Sequence, residues 1–471
     1  MRIPFDNSYA KLPSQMFTPQ LPTPVKAPQI IATNTELATL LGIDPAELAS
    51  ADAAQVFAGN HIPDGAAPLA QVYAGHQFGN WNPQLGDGRA VLLGEVVGSD
   101  GIRRDIQLKG AGPTPYSRSG DGRAWLGPVM REYLVSEAMH ALGVPTTRAL
   151  AAVTTGERVL REEILPGAVI TRVARSHIRV GTFQFFASRG DMAALAALTD
   201  HVIARHYPDA TGPAELLDQV IARYAALIAK WMGLGFIHGV MNTDNVAIAG
   251  ETIDYGPCAF IDDFHPDSVF SAIDQYGRYA YSNQPGIGAW NMAQFATALI
   301  PLMPDRDAAI EAFTAAVHRF PVIYDAEWLK VFGAKLGIAE PVDDDRALIT
   351  DLLDLMAKDG ADFSNTFAHL GTDTARDQFL DRAGFDAWAM RWNLRKAANA
   401  AEIMGKANPQ IIPRNHQIEA VIAAGRTGDM APFHTLLAAV TAPYAPLTEA
   451  TAPFARAPSK GEAVTRTFCG T

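Results

Sequence analysis

The hydrophobic pattern of this chain changes once along its length, and that change restricts the folds open to it. Residues 89–109 predict two strands joined by a turn, and residues 146–155 and 168–174 are again strand-like. Residues 213–233 instead repeat apolar side chains at three- and four-residue steps, which is typical of a long buried helix, and helix-like periodicity then dominates to about residue 440. The order predicts an α+β fold with a strand-rich first half and a helix-rich second half.

Charge and cysteine content limit the partners and the compartment. The net charge is −12, so the chain lacks the positive field that binds a nucleic-acid backbone. Cys258 and Cys469 are the two cysteines, too few for a disulfide framework or a four-ligand zinc site. The sequence has no basic leader followed by an apolar run and no stretch of about 18 apolar residues. We expect a cytoplasmic protein without nucleic-acid or membrane partners.

A glycine-containing turn precedes the predicted strand hairpin. Gly86, Gly88 and Arg89 belong to the tetrapeptide GDGR, and the second strand of the hairpin ends at Lys109. Glycine allows backbone N–H groups to approach phosphates closely, and a lysine at a strand end supplies a fixed positive charge. A simple turn before a strand explains the glycines equally well. The position of Lys109 on the second strand favours phosphate binding, because kinase folds combine a glycine loop with a strand lysine in this way.

A helix predicted over about 129–142 follows the hairpin and contains two glutamates. Glu132 and Glu137 are five residues apart, about 140° around a helix, so only one of them can face Lys109. The alternative is that both glutamates solvate an exposed helix face.

The segment HGVMNTDNVAI, residues 238–248, resembles the catalytic loop of kinases. His238 and Asn245 keep the kinase spacing from histidine to metal-binding asparagine, and Asp254 follows where a second metal ligand is expected. Amide and carboxylate oxygens are suited to Mg²⁺ or Mn²⁺. The sequence therefore predicts a divalent-metal site at Asn245 and Asp254.

One departure from the kinase pattern affects the chemistry. The position of the usual kinase base is Val240, which cannot accept a proton. Asp244 stands next to the metal ligand and is placed to orient or deprotonate a hydroxyl, although a cap or turn carboxylate is the alternative interpretation.

Two arginines form a third motif, TRVARSHIRVGTF. Arg172 and Arg179 are seven residues apart, and guanidinium groups grip phosphate oxygens in pairs of hydrogen bonds. Surface salt bridges are the competing explanation.

Six segments together resemble the selenoprotein O family. They are QLGDGRA, DIQLKGAGPTPYSRSGDGRA, REYLVSEAMHALGVPTTRAL, TRVARSHIRVGTFQ, HGVMNTDN and TIDYGPCAF. The resemblance covers about residues 70 to 300. It also covers the chain end, where the family has selenocysteine or cysteine and this sequence has Cys469.

The resemblance implies a protein-kinase-like, two-lobed fold that binds ATP in a reversed orientation and transfers AMP to Ser, Thr or Tyr of protein substrates. Pyrophosphate would leave, and Mg²⁺ or Mn²⁺ would assist. The implied division is an N-terminal extension at 1–65, a strand-rich lobe at 66–185, a helical lobe at 186–440 and a tail at 441–471 that contains Cys469.

The resemblance also assigns roles residue by residue. The residues implied to contact the nucleotide are Gly86, Gly88, Arg89, Lys109, Asp121, Gly122, Arg172 and Arg179. Asn245 and Asp254 would hold the metal. Asp244 would accept the proton, and Glu132 would pair with Lys109.

Three further interpretations remain open. A protein or small-molecule kinase shares the fold, although Val240 argues against it. A non-catalytic pseudokinase scaffold would not need a full set of metal and phosphate groups.

We also hypothesise that Cys258 and Cys469 form a reversible disulfide that holds the tail near the active site. His76 is given no role, because a lone histidine is more often structural.

Overall fold

The computed structural model describes residues 1–468, which form a mixed α/β structure. The strands are β1 Phe17–Pro19, β2 Gln29–Thr33, β3 Leu69–Gln71, β4 Gly75–Gln77, β5 Asn80–Asn82, β6 Ala90–Val97, β7 Arg103–Lys109, β8 Ala124–Trp125, β9 Arg148–Leu160, β10 Ile164–Ala174, β11 Phe236–Ile237 and β12 Ala259–Phe260. The helices are α1 Thr35–Leu40, α2 Ala51–Ala58, α3 Leu126–Ala141, α4 Val180–Arg189, α5 Met192–His206, α6 Pro213–Gly233, α7 Gln284–Leu299, α8 Arg306–His318, α9 Phe320–Lys335, α10 Asp345–Asp359, α11 Phe363–His369, α12 Arg382–Arg395, α13 Ala400–Ala407, α14 Asn415–Arg426, α15 Ala431–Val440 and α16 Ala452–Ala455.

One antiparallel sheet organises the first part of the chain. Its strand order is β1-β3-β6-β7-β10-β9-β2, and β8 also pairs with β10. The hairpin predicted over 89–109 is confirmed, because β6 pairs antiparallel with β7 from Ala90 opposite Lys109 to Val97 opposite Arg103. A separate two-stranded sheet is formed by β4 and β5.

The two faces of the sheet are covered by different helices. Ile106 and Leu108 of β7 pack into a core shared with α1 and α2. The alternate residues Gln107 and Lys109 contact Arg172 and the α3 residue Glu132, because successive strand side chains point to opposite faces. This alternation places a polar set between the sheet and α3.

Helices dominate the structure after residue 180, as the periodicity predicts. The long helix predicted over 213–233 is α6, which packs against α7, α8 and α9. The last long helices, α14 and α15, return to pack against α3. Within residues 1–468, no helix combines the length and apolar character needed to cross a bilayer.

Candidate functional site

A lysine at the end of β7 stands between two carboxylates. Lys109 Nζ donates to Glu132 Oε2 at 2.7 Å and to Asp254 Oδ1 at 2.6 Å. Glu132 lies on α3, and Asp254 follows the catalytic-loop segment. Of the two glutamates on α3, it is Glu132 that reaches the lysine, whereas Glu137 binds Arg148.

Both arginines of the third motif reach the same aspartate. Arg172 Nη1 donates to Asp254 Oδ1 at 2.8 Å, and Arg179 Nη1 donates to Asp254 Oδ2 at 3.0 Å. Burial raises the pKa of the Asp254 carboxyl, but the positive charges of Lys109, Arg172 and Arg179 outweigh it and hold that pKa well below its usual range. Three cations thus converge on one carboxylate.

The catalytic-loop segment is fixed by its histidine and asparagine. His238 Nε2 donates to the carbonyl oxygen of Ile253 at 2.9 Å, so the histidine links the start of the loop to the residue before Asp254. Asn245 Nδ2 donates to the carbonyl oxygen of Val240 at 3.0 Å. Asp254 has φ +63, a left-handed conformation that aspartate tolerates better than most residues. These local contacts set the backbone around the predicted metal ligands.

Asp244 is buried beside this centre. Its carbonyl oxygen accepts from Arg179 Nη1 at 2.7 Å, and its Oδ2 accepts from Gln77 Nε2 at 2.9 Å. Its Oδ1 is buried and has no hydrogen-bond partner among the described residues. Burial raises the pKa of Asp244 to about 6, although the Gln77 hydrogen bond and the Arg179 charge oppose the shift.

The GDGR segment at residues 86–89 contacts the site through its aspartate. Asp87 Oδ2 accepts from Gln107 Nε2 at 3.1 Å, and its Oδ1 lies 3.9 Å from Arg179 Nη2. The N–H groups of Asp87 and Gly88 already donate to the carbonyl oxygens of Gln71 and Gly86.

Both glycines of that segment allow a close approach of the loop at residues 113–120. A Cβ at Gly86 would lie 2.5 Å from the Tyr116 ring, and one at Gly88 would lie 2.8 Å from the Tyr116 carbonyl oxygen. Packing therefore requires these glycines, and their predicted contact with a nucleotide stays a prediction.

Three predicted nucleotide contacts remain, Arg89, Asp121 and Gly122. Arg89 makes no ion pair with any described residue. The Asp121 carboxylate binds Arg161 at 2.9 Å, and Gly122 packs against Gly112. Their roles stay predictions.

Sequence reasoning missed the hairpin formed by β4 and β5. His76 N donates to Thr243 Oγ1 at 2.7 Å and Phe78 N donates to Asn242 Oδ1 at 3.0 Å, so this hairpin lies directly on the catalytic loop. The His76 ring also accepts from Gln184 Nε2 at 3.1 Å. Strands of three residues are too short to show an alternating pattern. The cluster of Gly, His, Asn and Trp at 75–82 was the sequence feature that could have indicated this hairpin.

The two predicted metal ligands carry oxygen donors of the kind that a divalent ion prefers. Among residues 1–468 no cluster of three His, Cys, Asp or Glu side chains is arranged around a common point. The amide oxygen of Asn245 accepts no hydrogen bond from the described residues, because the contact to Val240 uses the amide nitrogen. With Asp254 it offers two hard oxygen donors, and nucleotide phosphates would have to supply others.

The C-terminal tail passes beside Cys258. Thr467 Oγ1 donates to the carbonyl oxygen of Pro257 at 2.6 Å, and Cys258 is buried. Cys469 lies outside the described residues, so the predicted disulfide stays a prediction.

Comparisons with known proteins agree with the motifs. A family model described as "Protein adenylyltransferase SelO" matches residues 1–441. A Ruegeria pomeroyi protein described as "Protein nucleotidyltransferase YdiU" is 61% identical over 471 residues, covering 100% of this chain and 99% of the relative. A Roseobacter denitrificans protein with the same description is 61% identical over 470 residues, covering 99% of both chains.

Proposed function

The chain belongs to the SelO family of protein adenylyltransferases, the family its motifs resemble, and we propose that it transfers AMP from ATP to Ser, Thr or Tyr hydroxyls of other proteins. It is a nucleotidyltransferase. The observation that carries the proposal is the convergence of Lys109, Arg172 and Arg179 on Asp254.

This convergence suits a reaction at the α-phosphate. The three cations are held together by one carboxylate, and the β- and γ-phosphates of ATP would bind these cations. Preorganised positive groups stabilise the negative charge that develops on the leaving pyrophosphate. A reversed ATP would leave its α-phosphate open to attack, which also agrees with an apolar Val240 at the kinase base position.

The proposed transfer needs a group that receives one proton. The acceptor oxygen attacks the α-phosphorus, and the bond from that phosphorus to the oxygen bridging the β-phosphate breaks. The hydroxyl proton passes to the Asp244 carboxylate, whose Oδ1 has no partner among the described residues. Pyrophosphate leaves with the bridging oxygen.

Asn245 and Asp254 would hold the divalent cation. Bound Mg²⁺ or Mn²⁺ supplies charge neutralisation for the phosphates. Glu132 positions Lys109, and Arg172 Nη1 also contacts Glu132 Oε1 at 3.2 Å, so one carboxylate orients two cations.

We propose the finer architecture and location on the same basis. Strands β3 to β10 and α3 would form the smaller lobe of a kinase-like fold at 66–185, and the helical part at 186–440 would form the larger lobe. Residues 1–65 would be an N-terminal extension and 441–471 a tail. Two cysteines in the whole chain favour the cytoplasm.

ATP labelled at the α- or the γ-phosphate tests the proposal. We expect α-label, and not γ-label, to enter protein. Asp254→Asn should reduce incorporation by about 100-fold, because it weakens both the metal site and the cation cluster. The control Asp267→Asn changes an exposed aspartate nearby and should retain activity. Incorporation of γ-label would indicate a kinase, and ATP binding without either label would indicate a scaffold.

The disulfide between Cys258 and Cys469 is a separate proposal about regulation. Support comes from the hydrogen bond between Thr467 and Pro257, which brings the tail to the residue before Cys258. Peptide mass and activity, each measured with and without reductant, test it. A bridged peptide in oxidised, inactive protein is expected, and an unbridged Cys258 in that protein would contradict it.

A further inference from the structure

The β4–β5 hairpin holds the catalytic loop at consecutive positions. The backbone N–H groups of His76 and Phe78 donate to the side chains of Thr243 and Asn242. Between these two anchors lies Gln77, whose side chain faces the next loop residue, Asp244. The hairpin therefore contacts three consecutive loop residues.

The two oxygens of the Asp244 carboxylate have different environments. Oδ2 accepts from Gln77 Nε2 at 2.9 Å, while Oδ1 is buried without a partner. A buried carboxylate oxygen without a donor costs free energy, so the orientation of this carboxylate depends on the hydrogen bond to Oδ2. Gly75 makes room for Oδ1, because a Cβ at position 75 would lie 2.8 Å from that oxygen.

We propose that Gln77 is a positioning residue for AMP transfer. Its amide holds Oδ2 and so fixes the rotation of the Asp244 carboxylate that would receive the proton. This inference rests on the proposed function of Asp244 as the proton acceptor, and it adds a residue that acts through Asp244 without touching the reacting atoms.

A glutamine suits this role for two reasons. Its amide is a neutral donor, so it orients the Asp244 carboxylate by a hydrogen bond alone. Its own orientation is fixed at the other end, since Gln77 Oε1 accepts from Asn82 Nδ2 at 3.4 Å across the hairpin. The donor is therefore directed before any substrate arrives.

The experiment measures AMP transfer from α-labelled ATP with Mn²⁺, both to the full chain itself and to added casein. Gln77→Leu removes the donor at similar size. Gln77→Asn keeps an amide but shortens the side chain by about 1.5 Å, so it cannot reach Oδ2. We expect kcat to fall at least about tenfold in both variants, with the KM for ATP unchanged, because one charge-assisted hydrogen bond is lost. Asn80→Leu, an exposed position on the same hairpin, is the matched control and should keep wild-type kcat.

A double variant separates positioning from a general structural effect. In an Asp244→Asn background, Gln77→Leu should cause no further loss of rate, because Gln77 acts only through Asp244. Thermal unfolding of each variant shows whether it is folded at the assay temperature.

The outcomes separate this inference from the proposed function. Wild-type kcat in both folded Gln77 variants, or losses that multiply in the double variant, would overturn the positioning role while AMP transfer stands. Transfer of γ-label by the wild type would overturn the proposed function and, with it, the role of Gln77 in AMP transfer. A wild-type chain that transfers neither label overturns both.

Discussion

At the scale of single residues, Asp254 determines the character of the site. A partly buried carboxylate without partners is costly, and here three basic side chains compensate it. If the aspartate bound a metal ion instead, these three side chains would stay close together without an anion between them. Under the proposed function, the pairing keeps the phosphate site assembled before ATP binds.

Arg172 makes three contacts that a lysine cannot reproduce. Its Nη1 contacts Glu132 and Asp254, and its Nη2 donates to Gln107 Oε1 at 2.7 Å. Because a lysine carries one ammonium group instead of a planar fork, Arg172→Lys should lower kcat/KM by about 100-fold. Initial rates with α-labelled ATP measure this. Arg158→Lys, an exposed position on β9, is the control, and equal rates for the two variants would contradict the prediction.

Lys335 gives a prediction about stability that does not involve activity. This lysine is 2% exposed, its Nζ lies 4.2 Å from the centre of the Phe367 ring, and burial lowers its pKa to about 7. Since the unfolded chain binds the proton more tightly, the folded state is penalised fully below pH 7, and the penalty fades toward the ordinary lysine pKa of about 10.4.

Lys335→Met should therefore raise the free energy of unfolding by several kcal/mol at pH 6 and by much less at pH 9. Urea unfolding at both pH values measures the difference. A gain that is the same at the two pH values, or a loss at pH 6, would show that the lysine is not penalised by burial.

At the scale of elements, α3 carries Glu132 and is braced by the end of the chain. Tyr133 packs against Phe433 of α15 with ring centroids 5.8 Å apart, and Arg131 forms an ion pair with Glu419 of α14. The helix that orients Lys109 is thus held by residues about 300 positions away.

Phe433→Ala should destabilise the protein by roughly 3 kcal/mol, because it leaves a cavity at a fully buried contact with α3. The free energy of unfolding in urea measures it. Leu394→Ala, at a side chain that is 91% exposed on α12, should change stability by less than about 0.5 kcal/mol. An equally small effect of Phe433→Ala would show that α15 does not brace α3.

Long elements were predictable from the sequence, and short ones were not. The β6–β7 hairpin and α6 have clear alternation or periodicity over many residues, so local pattern was sufficient. The β4–β5 hairpin has three-residue strands whose structure depends on contacts with the catalytic loop. Gln77 was missed because its importance comes from tertiary contacts.

At the scale of the whole molecule, the order of strands and helices follows from the sequence, but the convergence of the site does not. Lys109, Arg172 and Asp254 come from a strand end, a second strand and a loop. Kinase-like spacing and the family resemblance predicted that they belong together, but only the fold shows Lys109 and Arg172 on the Asp254 carboxylate. The spacing of residues in the sequence cannot predict this convergence, because strand order and the bulges of β9 and β10 set the register of the sheet.

The most direct test of the central claim is a crystal structure with Mn²⁺ and a nonhydrolysable ATP analogue. We expect the β- and γ-phosphates to lie within hydrogen-bond distance of Lys109, Arg172 and Arg179, with the α-phosphate on the side of Asp244. An adenine ring at the three basic side chains, with the γ-phosphate beside Asp244, would contradict the account.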